Sequence, residues 1–315
     1  MPESNWSQFK PIAQDLVRSE GLPESFISTV EQYYLPLSQR IASLHQTLGR
    51  PILVGVNGAQ GTGKSTLAVF LEALLSQSLG CSCAKFSLDD IYLTKSQRED
   101  LAREVHPLFR TRGVPGTHDL KLGWDTIQAL QGNQAGAEVA IPSFDKSVDD
   151  RRPHSQWPRY QGAAQIVLVE GWCVGAEPES DPIRLQQPIN SLERDEDQDG
   201  AWRDYINRQL LGPYQEFFAK IDYLVMLKAP SMECVLDWRT LQEQKLAQKL
   251  GVHHNGAGGA SVVPSGIMNE QQIIRFVQHY ERLTRSMLLR LPNTAQEVFS
   301  MNSDHEITGV VLNEK

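Results

Sequence analysis

The segment Gly58-Ala59-Gln60-Gly61-Thr62-Gly63-Lys64-Ser65 satisfies the spacing G-x-x-x-x-G-K-S/T at every fixed position. Glycines in such a turn let backbone N–H groups converge on phosphate oxygens with no Cβ in the way. The helix that opens behind them adds its partial positive charge. Lys64 has the reach to meet the β and γ phosphates of a nucleoside triphosphate, and the Ser65 hydroxyl is of the type that ligates Mg²⁺. The expected chemistry is phosphoryl transfer, with residues 58 to 66, including Thr66, holding the nucleotide. The plainer alternative is a glycine-rich turn beside a solvated lysine, and it requires strand, spacing and Lys-Ser pair to coincide without cause. No Asn-Lys-x-Asp run for reading guanine is present, since Asp145-Lys146 follows Phe144, and a Leu-Ser-Gly-Gly-Gln run is absent too. ATP is the expected nucleotide.

Transfer to an alcohol needs a group that accepts the hydroxyl proton or orients that oxygen. Ser87-Leu-Asp89-Asp90-Ile-Tyr92 sets two acids at the end of an apolar run, and Asp89 is the expected base. The alternative is an aspartate pair that caps the next helix. Glu170 closes the run Ile166-Val-Leu-Val and is expected to hold Mg²⁺ together with Ser65; a merely solvated acid is the other reading. Lys64, Asp89 and Glu170 form the expected catalytic set. Cations and turn residues crowd the stretches Arg110-Thr-Arg112-Gly-Val-Pro-Gly116-Thr-His118-Asp119 and Asp145-Lys146-Ser147, with Arg151-Arg152 close behind. In a chain of formal charge −8 this clustering predicts a pocket for a small anionic substrate, framed by Asp90, Tyr92, Arg112, His118, Asp145 and Lys146. Within it, Arg112, His118 and Lys146 are expected to hold the anionic end.

These side chains need elements to position them. Ile52-Leu-Val-Gly-Val56 is an apolar run of strand type that leads straight into the glycine turn, and Ser65 to Leu75 has helical period. Strand, glycine loop and helix in that order make the first unit of a parallel sheet. Further strands are predicted at Cys83 to Leu88, Ile166 to Glu170, Tyr223 to Leu227 and Glu297 to Met301, separated by helical or mixed stretches. The expected fold is α/β, a doubly wound and mostly parallel sheet flanked by helices. Residues 1–48 read as a helical N-terminal extension packed on the core, ahead of a main domain over 49–315. Within that domain, residues 177–200 are acidic and proline-containing and are expected to be an exposed insertion. The glycine-rich residues 251–261 are expected to form a mobile loop.

Charge and composition exclude several classes. With 40% hydrophobic and 22% charged residues the chain matches an ordinary globular protein, neither disordered nor membrane-embedded. No apolar run approaches the roughly 20 residues that cross a bilayer. The acidic balance argues against binding nucleic acid as a whole. Met1-Pro-Glu-Ser-Asn-Trp-Ser lacks the basic cluster and apolar stretch of a secretion signal, so a cytosolic location is expected. Cys81, Cys83, Cys173 and Cys234 are expected as thiols, and Cys81-x-Cys83 lacks a second pair at metal-ligand spacing. Asp195-x-Asp197-x-Asp199-Gly200 opens like a calcium loop, yet its twelfth position is Ile206 where a bidentate glutamate is needed. A solvated acidic loop is expected there.

On these residues the chain resembles the P-loop kinases related to uridine kinase, phosphoribulokinase and pantothenate kinase, and among them the D-glycerate 3-kinase group. The resemblance runs from about Leu48 to the end. Its marks are Gly58 to Ser65, Ser87 to Tyr92, Arg112 to Asp119, Pro142-Ser-Phe-Asp145-Lys146-Ser147 and Glu170-Gly-Trp172. Further on come Pro188-Ile-Asn190-x-Leu192-Glu193, Trp238-Arg239 and Tyr280-Glu-Arg282-Leu-Thr284. It implies that Asp89 is the strand-end aspartate that deprotonates the acceptor, that Glu170 is the acid after the third strand, and that Arg239 belongs to a lid. It further implies transfer of the ATP γ-phosphate to a small acid, D-glycerate giving 3-phosphoglycerate. Kinases for another hydroxy acid, a nucleoside or a sugar phosphate stay open at this point, as does a regulatory protein that binds ATP without catalysis.

Overall fold

A computed structural model of the chain describes residues 6–132, 136–249 and 268–313. Its centre is β1 (Ile52–Gly58), buried along its whole length. A strand covered on both faces can be apolar at every position, which is why Ile52 to Val56 shows no alternation. β2 (Cys83–Ser87), β3 (Ile166–Gly171), β4 (Tyr223–Lys228), β5 (Glu297–Met301) and β6 (Ile307–Leu312) complete a six-stranded sheet in the order β2-β3-β1-β4-β5-β6. The first five are parallel: Ile52 lies opposite Ile166, and Val54 opposite Tyr223. The sheet is α/β and mostly parallel, as the run spacing predicts. The departure is β6, which pairs antiparallel with β5 at the sheet's edge, its residues Val310, Val311 and Leu312 exposed. The run Ile307-Thr-Gly-Val-Val-Leu312 is apolar enough to signal a strand, and its place at the sheet's edge rather than its composition leaves it exposed.

Helices α1 (Trp6–Ser19) and α2 (Leu35–Leu48) flank a short helical stretch at 26–34. α1 buries Phe9, Ala13 and Val17, spaced four apart on one face. These residues share a core with Leu67, Phe70 and Leu71 of α3 (Lys64–Ala73), the helix behind the glycine turn. Phe26 and Tyr34 both meet Phe70, with ring centroids 5.6 and 5.8 Å apart. α2 stops at Gly49, whose φ of 62° a side chain would strain. The remaining long helices are α4 (Lys95–Glu104), α5 (Leu120–Gly132), α6 (Ala201–Gln209), α7 (Met232–Lys249) and α8 (Glu270–Arg290).

The segment 177–200 differs from an exposed acidic loop. It forms two short helices, Pro182–Gln186 and Ser191–Glu196, and buries Leu192, Glu193 and Asp197. Two of its acids, Glu193 and Asp197, go inside because they meet cations, while Asp195, Glu196 and Asp199 stay exposed. Arg282 of α8 donates from Nε to Glu193 at 2.8 Å and from an NH2 group at 2.6 Å. Asp197 accepts the backbone N–H of Trp202 at 2.8 Å and pairs with Arg203 at 3.2 Å, capping α6. The middle aspartate of the calcium-like run is thus committed to a guanidinium. Residues 251–261, read as a mobile loop, lie outside the described residues.

Candidate active site

The ligand edge of an open α/β sheet is the carboxyl end of its parallel strands, and there β1 turns through Gly61 and Gly63, with φ of 87° and 81°. A Cβ at Gly61 would stand 2.8 Å from Cβ of Trp238, so the backbone passes where no other residue fits. Gly63 caps α3 without any side chain on its first-turn N–H groups, leaving these donors at the loop. Ser65, in the first turn, donates its hydroxyl hydrogen to Oε1 of Glu170 at 2.9 Å. Glu170, at the end of β3, is buried, and its Oε2 has no hydrogen-bond partner. A buried carboxylate oxygen without a partner is costly unless a cation comes to it. Ser65 and Glu170 therefore offer two oxygens of the hard type that Mg²⁺ takes.

Across a cleft of about 450 Å³ stands the second group. Asp90 closes a capping box with Ser87: its Oδ2 accepts the Ser87 N–H at 3.2 Å, and its Oδ1 accepts the Phe144 N–H at 3.3 Å. Burial pushes its carboxyl up to about 6. Capping is thus done by Asp90, and Asp89 is left for the cleft. Both oxygens of Asp89 are engaged by side chains: Tyr92 donates its hydroxyl to Oδ1 at 2.7 Å and Lys146 donates to Oδ2 at 2.5 Å. Burial pushes Asp89 up, but the ammonium groups of Lys146 and Lys64, with the two hydrogen bonds, outweigh it and hold the carboxyl at about 2. Arg112 pairs with Asp149 and lies over Phe144, 5.5 Å from the ring centre.

The cleft thus brings together Gln60, Gly61, Lys64, Ser65, Asp89, Asp90, Tyr92, Arg112, Lys146, Glu170 and Arg239. Arg239 reaches it from α7, paired with Glu243 and lying over Phe276 at 5.2 Å. Two expected substrate residues are not on its wall. His118 is buried behind Tyr92, stacked at 4.8 Å, and its Nδ1 shares a 2.5 Å hydrogen bond with the Tyr214 hydroxyl. Burial pushes it down to about 4, so it is neutral at ordinary pH and cannot serve as a cation. Asp145 is engaged elsewhere, paired with Arg152 at 3.0 Å and accepting the Ser147 N–H at 2.9 Å. The wall also contains Trp172, Phe276 and Tyr280, to which the sequence reading gave no role. Trp172 and Tyr280 fall within motifs that mark the resemblance, and that was the available signal. They lock the Arg112 segment: Tyr280 donates to the Arg112 carbonyl at 2.9 Å and Trp172 to the Gly113 carbonyl at 2.8 Å. A smaller hollow of about 130 Å³ lies on the other side of the loop, where Leu22, Phe26, Gly61, Thr66 and His305 meet.

A parallel sheet in this order, with a glycine loop, lysine and serine at the central strand's end, defines the class of P-loop kinases. No protein-family model matches the chain. The uncharacterized kinase mug58 of Schizosaccharomyces pombe is 37% identical over 240 residues, spanning 74% of this chain and 79% of that one. The chloroplastic D-glycerate 3-kinase of Arabidopsis thaliana is 29% identical over 239 residues, 73% of this chain and 46% of that one. Among solved structures, D-glycerate 3-kinase from Cryptococcus neoformans var. grubii superposes with a TM-score of 0.66, at 24% identity over 88% of this chain and 99% of that one, a likeness of fold. The chain belongs to the kinase family of mug58, related to D-glycerate 3-kinase, and is an ATP-dependent phosphotransferase acting on a small molecule. No helix among the described residues is long and apolar enough to cross a membrane.

Proposed function

We propose that the protein transfers the γ-phosphate of Mg-ATP to a hydroxyl of a small hydroxy acid, with D-glycerate giving 3-phosphoglycerate as the leading pair. The observation that carries this reading is the shared cleft: Lys64, Ser65 and Glu170 on one wall, Asp89 with Lys146 and Arg112 on the other. The loop amides and Lys64 hold the triphosphate, and Mg²⁺ on Ser65 and Glu170 would neutralise charge on its β and γ phosphates. The unpartnered Oε2 of Glu170 supports that cation. Asp89 takes the acceptor hydroxyl, Arg112 and Lys146 take its carboxylate, and Arg239 meets the transferring group from α7. The base of ATP lies in the hollow beside Gly61, which the N-terminal residues Leu22 and Phe26 help to wall.

The relative that phosphorylates D-glycerate supports the acceptor chosen. Incubation with Mg-ATP and a panel of hydroxy acids, nucleosides and sugar phosphates tests it. The expected result is 3-phosphoglycerate from D-glycerate. Turnover with another acceptor and none with D-glycerate would reject the substrate, and ATP binding with no acceptor-dependent turnover at all would favour a regulatory protein.

A further inference from the structure

We infer that Lys146 is a removable counter-ion, capping Asp89 until an anionic acceptor draws it away. The inference rests on the proposed reading of Asp89 as the group that activates the acceptor.

Both oxygens of Asp89 already accept a donor, Tyr92 on one and Lys146 on the other, and although each oxygen keeps a second lone pair, the ammonium beside it in the cleft neutralises the charge that would draw a proton. For Asp89 to act as a full-strength base, the ammonium must leave. Tyr92 is 4% exposed, stacked on His118 at 4.8 Å and set edge-on to Phe144 at 5.3 Å, so it is fixed by packing. Lys146 stands at the tip of a hairpin whose strands, Phe144–Asp145 and Asp150–Arg151, are two residues long. Its side chain is 60% exposed, and among the described residues its one ion pair is with Asp89. The hairpin itself is tied down elsewhere: Arg98 donates to the Asp149 carbonyl at 2.6 Å, and Arg112 pairs with the Asp149 carboxylate. Lys146 can therefore swing without moving its base, whereas Arg112 stays in place.

The exposed Lys146 ammonium can trade one carboxylate for another, so the exchange costs only the difference between two ion pairs. A substrate carboxylate placed beside Arg112 can thus take Lys146 from Asp89, and an uncharged polyol cannot. Once uncapped, Asp89 Oδ2 accepts the acceptor's hydroxyl proton. The acceptor oxygen bonds to the γ-phosphorus, the bond from that phosphorus to the bridging oxygen breaks, and ADP departs with the electron pair. Before an acid arrives, the ammonium-paired carboxylate is a weaker acceptor for a water in the same place. The pair thereby selects for anions and suppresses futile hydrolysis of ATP.

The test measures ATP hydrolysis without acceptor, and transfer to D-glycerate, in the full-length parent, in Lys146→Met and in the double variant Lys146→Met with Asp89→Asn. Removing the cap is expected to raise acceptor-independent hydrolysis about tenfold, below the usual 10²–10⁴ of a positioned base because water is a less well-held acceptor. Transfer to D-glycerate falls in the same variant, and the double variant returns hydrolysis to the parent level or lower. Hydrolysis in Lys146→Met at or below the parent rate overturns the inference, leaving Lys146 as a plain substrate ligand. Hydrolysis as fast in the double variant as in Lys146→Met overturns it too. A parent that hydrolyses ATP but phosphorylates no anionic acceptor counts against the proposed function instead, so the two failures are told apart. Lys146 is exposed, so its substitution leaves the packed core untouched, and Lys146→Gln, which keeps polarity but not charge, must give the same hydrolysis result.

Discussion

The two walls of the cleft are built differently. The proposed nucleotide wall is backbone: Gly61 and Gly63 in conformations other residues resist, a helix start with free N–H groups, and one buried acid with an oxygen to spare. The proposed acceptor wall is side chains already paired with one another: Asp89 with Tyr92 and Lys146, Arg112 with Asp149, Arg239 with Glu243. A backbone cradle recognises phosphate whatever the acceptor is, because every residue has an amide. A network of charged side chains can be rewired by a few substitutions. Kinship is therefore a safer guide to the nucleotide, which the fold holds, than to the acceptor, which a few side chains choose.

Mutations at the two walls should separate kinetically. The largest effect is expected from Lys64→Met, which strips the cradle of its cation and should lower kcat by about 10³-fold, the upper range for one lost charge-stabilising donor. Steady-state assays with either substrate varied will show it. Arg112→Met should raise the acceptor KM by roughly 30-fold, the scale of a charge-assisted hydrogen bond, while the ATP KM stays within about twofold. Gly61→Ala should do the reverse. Its Cβ meets Trp238 and its φ is strained, which costs on the order of 1–2 kcal/mol and raises the ATP KM about tenfold at unchanged acceptor KM. If Arg112→Met and Gly61→Ala disturb both KM values alike, the two walls are not independent.

The smallest effect is on stability. His118 supports Tyr92 from behind, and burial holds its pKa at about 4 against an ordinary 6.5. The unfolded chain takes up the proton first, so the stabilisation is fully present above pH 6.5 and is lost as pH falls through that window toward 4. His279, buried on α8 and also held at about 4 by its burial, adds the same sign. The thermal midpoint should therefore decline between pH 6.5 and 4, and His118→Asn should flatten part of that slope. An unchanged slope would mean that His118 is not the group that acid attacks.

Much of the fold was legible because backbone rules wrote it. Ile52 to Val56, the glycine turn and the helical run behind it could be read from period and spacing, and the five parallel strands fell where apolar runs stood. What escaped depended on partners distant in the chain. His118 looked like a substrate cation because it follows Arg112 closely, but an isolated bridge between Tyr92 and His118 turns its ring beneath the tyrosine. Glu193 and Asp197 looked solvated because their guanidinium partners, Arg282 and Arg203, are chosen by tertiary packing, which composition does not record. Trp172 and Tyr280 carried no chemical label of their own. An aromatic residue reads as core by default, and only the fold turns these two toward the cleft.

Asp89 is proposed to activate an acceptor hydroxyl for attack on an ATP held by the glycine loop. The most direct measurement follows the label of γ-labelled Mg-ATP into D-glycerate, in the parent and in Asp89→Asn, alongside nucleotide binding to both. The account predicts labelled 3-phosphoglycerate from the parent, a loss of about 10²-fold or more in the variant, and equal ATP affinity in the two. Equal turnover by the parent and Asp89→Asn would contradict it.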